Sequence, residues 1–280
     1  MSRALLEGDQ RMDAPTILLR KLESIGEVSI QDRQALTRLD HRVRYLAPRD
    51  DVALEGEEAT DCCLLVDGLM HRYKVLPDGR RQILGFHTPG EIPDLFSLHI
   101  RRADHNLASV GPCTVALIAH ADLHTLLTRY PDIKDLFWRD TLLQAAISQA
   151  WIIGLGRRSA RARLAHLFCE LFCRLAAVGL ANRTRCSLRV TQADLGDALG
   201  LSTVHINRSL QELRREGLLS LESGCLTIHN WDRLAATAGF DPAYLNLATC
   251  PTESMLPPRA HDRSRSQGAE RPSGLAPQAM

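Results

Sequence analysis

The chain has 280 residues, 45% of them hydrophobic and 24% charged, with a net charge of +1. That composition is ordinary for a globular protein of about two domains, and the near-zero charge does not by itself announce a nucleic-acid binder. No stretch is long and apolar enough to span a bilayer, Met1–Gln10 lack the basic-then-apolar pattern of a signal peptide, and none of the eight cysteines falls in a CxxC pair. A cytoplasmic protein without membrane contact is expected, its thiols reduced, with no zinc ribbon and no ferredoxin-type cluster.

Residues 1–24 are mixed in character and are expected to be loosely ordered. Ile30–Leu39 has the pattern of a short amphipathic helix. From Arg42 to Ala119 short apolar runs alternate with turn signals, among them Asp67-Gly68, Pro77-Asp78-Gly79 and Gly111-Pro112. Cys62–Val66 and Thr114–Ile118 read as buried strands, and Asp-Gly between such runs signals hairpins. Strands at this spacing predict a small barrel or sandwich.

Asp122–Tyr130 reads as a short helix, and Pro131, well placed at a first helical position, opens a long one. Ile133, Leu136, Asp140, Leu143, Ile147, Ala150 and Gly154 recur at alternating spacings of three and four, a heptad seam. Leu136, Leu143, Ile147 and Ala150 are taken as a parallel homodimer contact; the competing reading is a helix packed on its own β-domain. Gly154 and Gly156 are expected to break the helix. Arg157–Val178 follows as a further helix with Leu164, Leu167, Phe168, Leu171 and Leu175 on one face.

Thr191–Glu216 predicts a helix-turn-helix. Thr191 with Asp194 makes a capping-box-like pair, Gly200 permits a turn at positive φ, and Ser202 caps the second helix. Leu195, Leu199, Leu201, Ile206 and Leu210 are spaced to meet between the two helices. The face left over carries Thr203, Asn207, Arg208 and Gln211, polar side chains suited to base edges in a major groove. Between Arg157 and Asp241 there are twelve arginines, no lysine and eight acids, a local excess of +4. Arginine is the better fork for phosphates and guanines. Gly217–Leu221 and Cys225–Ile228 flank Glu222-Ser223-Gly224 as a β-hairpin, the wing of a winged helix, and residues 248–280 are expected to be disordered.

In this order, and in the stretches Gly85–Leu95, Gly156–Leu167 and Thr191–Glu216, the chain resembles the Crp/Fnr superfamily of transcription regulators. The resemblance implies an α+β chain: a cyclic-nucleotide-binding-like β-roll at 25–130, a dimerisation helix at 131–155 and a winged helix-turn-helix at 156–247. It implies a homodimer that binds a near-palindromic promoter site in double-stranded DNA and acts on RNA polymerase. Thr191, Ser202, Thr203, Val204, Asn207, Arg208 and Gln211 form the expected DNA-binding set. Val204 and Arg208 stand where many members present a glutamate and an arginine; valine can meet a thymine methyl but cannot accept from cytosine.

Members that bind cyclic AMP use a glutamate after a glycine and then an Arg-Ser or Arg-Thr pair on the phosphate. Gly90-Glu91 matches the first part. Asp104-His105-Asn106 stands in place of the second, with Arg101 and Arg102 nearby but out of register. The effector pocket is therefore assigned to Gly90, Glu91, Arg101 and Arg102, its effector is unknown, and cyclic AMP is not expected to bind. No cofactor or metal is expected: the first cysteine is Cys62, within a strand, and His120/His124 read as surface histidines. No catalytic motif is present. The alternative from another class is a small-molecule or redox sensor with a degenerate roll and vestigial DNA binding.

Overall fold

The computed structural model describes residues 12–247. Two short helices, α1 (Ala14–Ile25) and α2 (Ile30–Thr37), precede seven strands: β1 (Arg42–Leu46), β2 (Asp51–Ala53), β3 (Asp61–Asp67), β4 (Met70–Val75), β5 (Arg81–His87), β6 (Asn106–Ser109) and β7 (Cys113–Ala119). Helices α3 (His120–Arg129), α4 (Pro131–Arg157) and α5 (Ala160–Ala177) follow. The C-terminal part comprises β8 (Arg185–Ser187), α6 (Gln192–Leu199), α7 (Thr203–Arg215), β9 (Leu219–Glu222), β10 (Cys225–Ile228) and α8 (Trp231–Ala238). The fold is α+β, a roll of two antiparallel sheets followed by the long helix α4 and a winged helix-turn-helix.

The roll stacks the sheet β1-β7-β3 on the sheet β2-β6-β4-β5. Strand β3 shows why its sequence is apolar throughout. Cys63 and Leu65 face the inside of the roll with Met70, Leu107 and Val115, whereas Cys62, Leu64 and Val66 face the helices with Ile17, Leu22, Ile133 and Phe137. Alternate residues thus serve two cores. Pro77-Asp78-Gly79 closes the β4–β5 hairpin, with Val75 opposite Arg81. Asp67-Gly68 does not close a hairpin: β3 pairs with β7 and β4 with β5 and β6, so this turn carries the chain from one sheet to the other. An Asp-Gly pair supplies the bend but not the strand partner.

Residues 14–24 are not loosely ordered. Asp13 Oδ1 accepts from the Thr16 N–H at 2.9 Å, Pro15 lies in the first turn, and Ile17, Leu18, Leu22 and Ile25 are buried. The helix exists because β3 and α4 offer these side chains an apolar face, a condition invisible in the local pattern. Residues 1–11 and the tail expected at 248–280 lie outside the described residues.

Helix α4 begins at Pro131 as expected and runs unbroken past Gly154 and Gly156. Its end is tied by the next segment. Arg158 Nη1 donates to the Ala150 carbonyl at 3.1 Å, and Arg163 Nη2 to those of Leu155 and Arg158 at 3.2 and 3.3 Å. Guanidinium groups thus satisfy carbonyls at the helix end. Helix α5 is capped by Ser159, and its apolar face meets Trp151 of α4, Ile83 and Phe86 of β5, and the C-terminal helices in one core. In the wing, Ser223 and Gly224 both have positive φ (51° and 74°), which matches the twist of a two-residue hairpin. Strand β8 adds a third strand beside β10.

Candidate nucleic-acid interface

Local chemistry builds the helix-turn-helix. Thr191 Oγ1 accepts from the Asp194 N–H at 3.1 Å, and Asp194 Oδ2 accepts from the Thr191 N–H at 3.2 Å. This reciprocal pair satisfies two donors at the start of α6. Gly200 ends α6 in the left-handed region (φ 63°). The chain then folds back so tightly that a Cβ on Gly196 would stand 2.7 Å from the Leu201 carbonyl oxygen, so only glycine fits there. Ser202 caps α7 through the His205 N–H at 3.3 Å. Leu195, Leu199 and Ile206 are buried and Leu201 and Leu210 partly so. Leu213, absent from the expected set, completes the contact.

All seven sequence-assigned DNA-binding residues, Thr191, Ser202, Thr203, Val204, Asn207, Arg208 and Gln211, are exposed on this unit. Thr191 and Ser202 spend their hydroxyls on the caps, which leaves Thr203, Val204, Asn207, Arg208 and Gln211 as the open face of α7. Val204, a large apolar side chain, is 75% exposed among the described residues. Arg208 and Arg215 make no ion pair among the described residues, while Arg214 lies 3.3 Å from Glu222 of the wing and Arg161 is paired with Glu216. Two residues join the interface that sequence reasoning passed over, Gln192 at the start of α6 and His205 in the first turn of α7. Both are exposed, and only the crossing of the two helices places Gln192 beside α7.

The helix-turn-helix is docked on the roll. Arg81 of β5 donates from Nη2 to Asp194 at 2.7 Å and from Nε to Asp197 at 2.8 Å. Arg163 reaches the Leu199 carbonyl at the end of α6. Deeper in, Arg174 of α5 grips both oxygens of Glu91 at 2.9 and 2.8 Å and the Phe86 carbonyl at 2.7 Å. Its Nη1 donates to Glu170 at 3.0 Å, which also receives the Trp151 indole N–H at 3.2 Å and the Tyr244 hydroxyl at 2.9 Å.

The residues assigned to an effector pocket are not brought together. Gly90 and Glu91 are buried, and a Cβ on Gly90 would stand 2.6 Å from Lys21 Cβ of α1. Glu91 also accepts from Thr88 Oγ1 at 2.9 Å and from His87 Nδ1 at 3.1 Å. Burial opposes its charge, but Arg174, His87 and Lys21 hold its carboxyl well below the usual range. The carboxylate is thus engaged by its own chain, with four donors on two oxygens, and a ligand that used it would have to displace Arg174. Arg101 and Arg102 lie outside, exposed, each 3.6 Å from Glu58.

The assigned dimer seam is also corrected. Leu136, Leu143 and Ile147 are buried in their own chain and Ala150 is half-buried. Asp140, the polar interruption of that seam, is held by Lys21 Nζ at 3.0 Å. The competing reading, a helix packed on its own β-domain, describes this face. The large apolar side chains α4 leaves exposed are Trp138, Leu142, Ile152, Ile153 and Leu155.

Two family models match the chain: a cyclic nucleotide-binding domain over residues 43–130 and a Crp-like helix-turn-helix domain over residues 162–237. The transcriptional activatory protein AadR of Rhodopseudomonas palustris is 30% identical over 201 residues, covering 72% of this chain and 82% of AadR. The chain belongs to the Crp/Fnr family. Among its relatives, the nitrogen fixation regulation protein FixK of Bradyrhizobium diazoefficiens is 27% identical over 210 residues, 74% of this chain and 87% of FixK. The structure of FixK2 from Bradyrhizobium japonicum superposes with a TM-score of 0.65 at 24% identity, covering 72% of this chain and all of that one. The protein is a Crp/Fnr-type transcription regulator with a helix-turn-helix DNA-binding domain; the alternative of a sensor with vestigial DNA binding is not supported. Burial raises the thiols of Cys62, Cys63 and Cys169, which opposes thiolate formation at these three positions.

Proposed function

We propose that this Crp/Fnr regulator works as a homodimer joined along the exposed face of α4, setting two copies of α7 in successive major grooves of a near-palindromic promoter site. There it acts on RNA polymerase. The observation that carries the reading is the division of α7: Ile206 and Leu213 are buried beneath it, while Thr203, Val204, Asn207, Arg208 and Gln211 are exposed on the other side. Trp138, Leu142 and Ile152 recur on α4 at spacings of four and ten residues, with Ala145 and Gln149 exposed between them, a heptad series on the side away from the roll. Two-fold symmetry then requires two half-sites about one helical turn of DNA apart. No helix among the described residues is long and apolar enough to cross a membrane, in keeping with a regulator working on cytoplasmic DNA.

Within this reading Arg208 pairs with O6 and N7 of a guanine, and Val204, one turn earlier, packs on a thymine methyl. Arg208→Ala is expected to reduce affinity for the selected site by about 1–3 kcal/mol and to relax preference at one base pair per half-site. Arg215→Ala is expected to weaken binding to all sequences alike and to flatten the salt dependence by about one unit per lost phosphate contact. Anisotropy titrations on selected and scrambled duplexes at several salt concentrations separate the two. If Arg208→Ala weakens both duplexes equally, Arg208 is a phosphate contact and not a base reader.

A further inference from the structure

The amide of Asn207 does not stand free on α7. Its Nδ2 donates to Gln192 Oε1 at 3.4 Å, across the crossing of α7 and α6. Gln192 is the first residue of α6, directly after Thr191, whose backbone is pinned by the reciprocal bonds with Asp194. The acceptor therefore sits on one of the better-anchored points of the domain, although both side chains face solvent. A primary amide has two N–H groups and one carbonyl oxygen. One N–H of Asn207 is taken by Gln192, and the other N–H and Oδ1 remain.

We propose that Gln192 is a positioning residue for Asn207, and that the pair reads an adenine beside the guanine read by Arg208. The remaining donor and acceptor of Asn207 are the two groups that match N7 and N6 of adenine in the major groove. A long-lived amide rotamer matters here, because a side chain that must be ordered on binding loses part of its hydrogen-bond energy to that ordering. Gln192 removes this cost by holding the amide plane before DNA arrives. With Oε1 of Gln192 turned toward it, Asn207 presents Nδ2 to α6. Asn207 and Arg208 are consecutive on one helix, so the adenine and the guanine lie at neighbouring positions of the half-site. Gln211, one turn after Asn207, has no comparable anchor among the described residues and is not assigned a base.

This inference rests on the DNA-binding reading above, and the experiment separates the two. The full chain is used to select duplexes from a random double-stranded DNA library, and single-base variants of the selected site are titrated at fixed salt. Asn207→Ala is expected to lose on the order of 10-fold of its preference at one A·T pair, within the range of a bidentate contact. Gln192→Ala is expected to lose part of the preference at that same pair, and the double variant to be no less selective than Asn207→Ala alone. Gln192→Glu keeps an acceptor for Nδ2 and is expected to retain the preference while binding all sequences more weakly. A Gln192→Ala variant that keeps full base preference and weakens every duplex alike makes Gln192 a phosphate contact and overturns the proposal, as do additive losses at different base pairs. If the unaltered protein enriches no sequence, the DNA-binding reading fails and this one with it. If it enriches a site at which Asn207→Ala changes nothing, this inference alone is wrong.

Discussion

Arg174 is the residue on which most of the buried charge depends. Its guanidinium lies between Glu91 of the roll and Glu170 of its own helix, and all three are essentially inaccessible to water. Burial alone would lower the arginine's affinity for its proton, yet the two carboxylates raise it. Glu170 pays the other side of this arrangement, its carboxyl raised by burial against the pull of Arg174. Replacing Arg174 by Met leaves two buried carboxylates facing each other without their shared cation. A buried charge left unpaired costs about 3–5 kcal/mol, so Arg174→Met is expected to lower unfolding stability by that amount in urea titrations. Adding Glu91→Gln and Glu170→Gln is expected to restore much of it. A loss below about 1 kcal/mol would mean that Lys21, at 4.0 Å from Glu91, carries the balance without Arg174.

At the scale of the element, α4 is apolar on two faces with different fates. Ile133, Leu136, Leu143 and Ile147 are packed against α1, β3, α5 and their neighbours, whereas Trp138, Leu142 and Ile152 are more than half exposed. A charge introduced on the exposed face meets water in a monomer and a partner helix in a dimer. Leu142→Glu with Ile152→Glu is expected to sediment as a folded monomer with weakened operator binding, its unfolding midpoint shifted only as far as dissociation requires. Leu143→Glu is expected to unfold the roll, since a carboxylate placed in that core without a partner costs about 3 kcal/mol or more. A Leu142/Ile152 variant that still sediments as a dimer would move the interface off α4.

At the scale of the molecule, three of the four histidines buried among the described residues report on how the parts are joined; the fourth, His105, is also lowered by burial. Burial, helped by Arg81, lowers His71 to about 4. Burial and Arg72 lower His87 to about 3, and burial and Arg158 lower His166 to about 4. In the unfolded chain each returns to about 6.5. Below that pH the unfolded state binds protons that the folded state refuses, so the stability these groups confer is complete above pH 6.5 and is lost as pH falls toward 4. Each refused proton is worth about 1.4 kcal/mol per pH unit, and three give a slope of roughly 4 kcal/mol per unit between pH 6 and 4. His71 adds a coupling: its Nε2 lies 3.3 Å from Arg81 Nη1, and Arg81 holds α6 to the roll. Urea unfolding at pH 7.5, 6 and 5 measures the slope, and His166→Gln is expected to reduce it by about 1.4 kcal/mol per pH unit. Stability that stays level across that range would show that these imidazoles are not held neutral.

The helix-turn-helix, the wing and the start of α4 were legible in the sequence because each is decided within one or two turns of chain. Thr191 with Asp194, Gly200, Ser202, Ser223-Gly224 and Pro131 act on backbone a few residues away, and their chemistry is the same whatever surrounds them. Thr203, Val204, Asn207, Arg208 and Gln211 follow from helical period alone once Ile206 is known to face inward. Where two distant segments must meet, local pattern had nothing to work on. Helix α1 forms because β3 and α4 accept its apolar face. The inward face of α4 is chosen by that same packing, since both of its stripes carry heptad spacing. Glu91 is taken by an arginine 83 residues further along the chain, and Gln192 meets Asn207 15 residues on. A side chain's partner across a helix crossing or a sheet depends on the path of all the chain between, and only the tertiary structure sets that path.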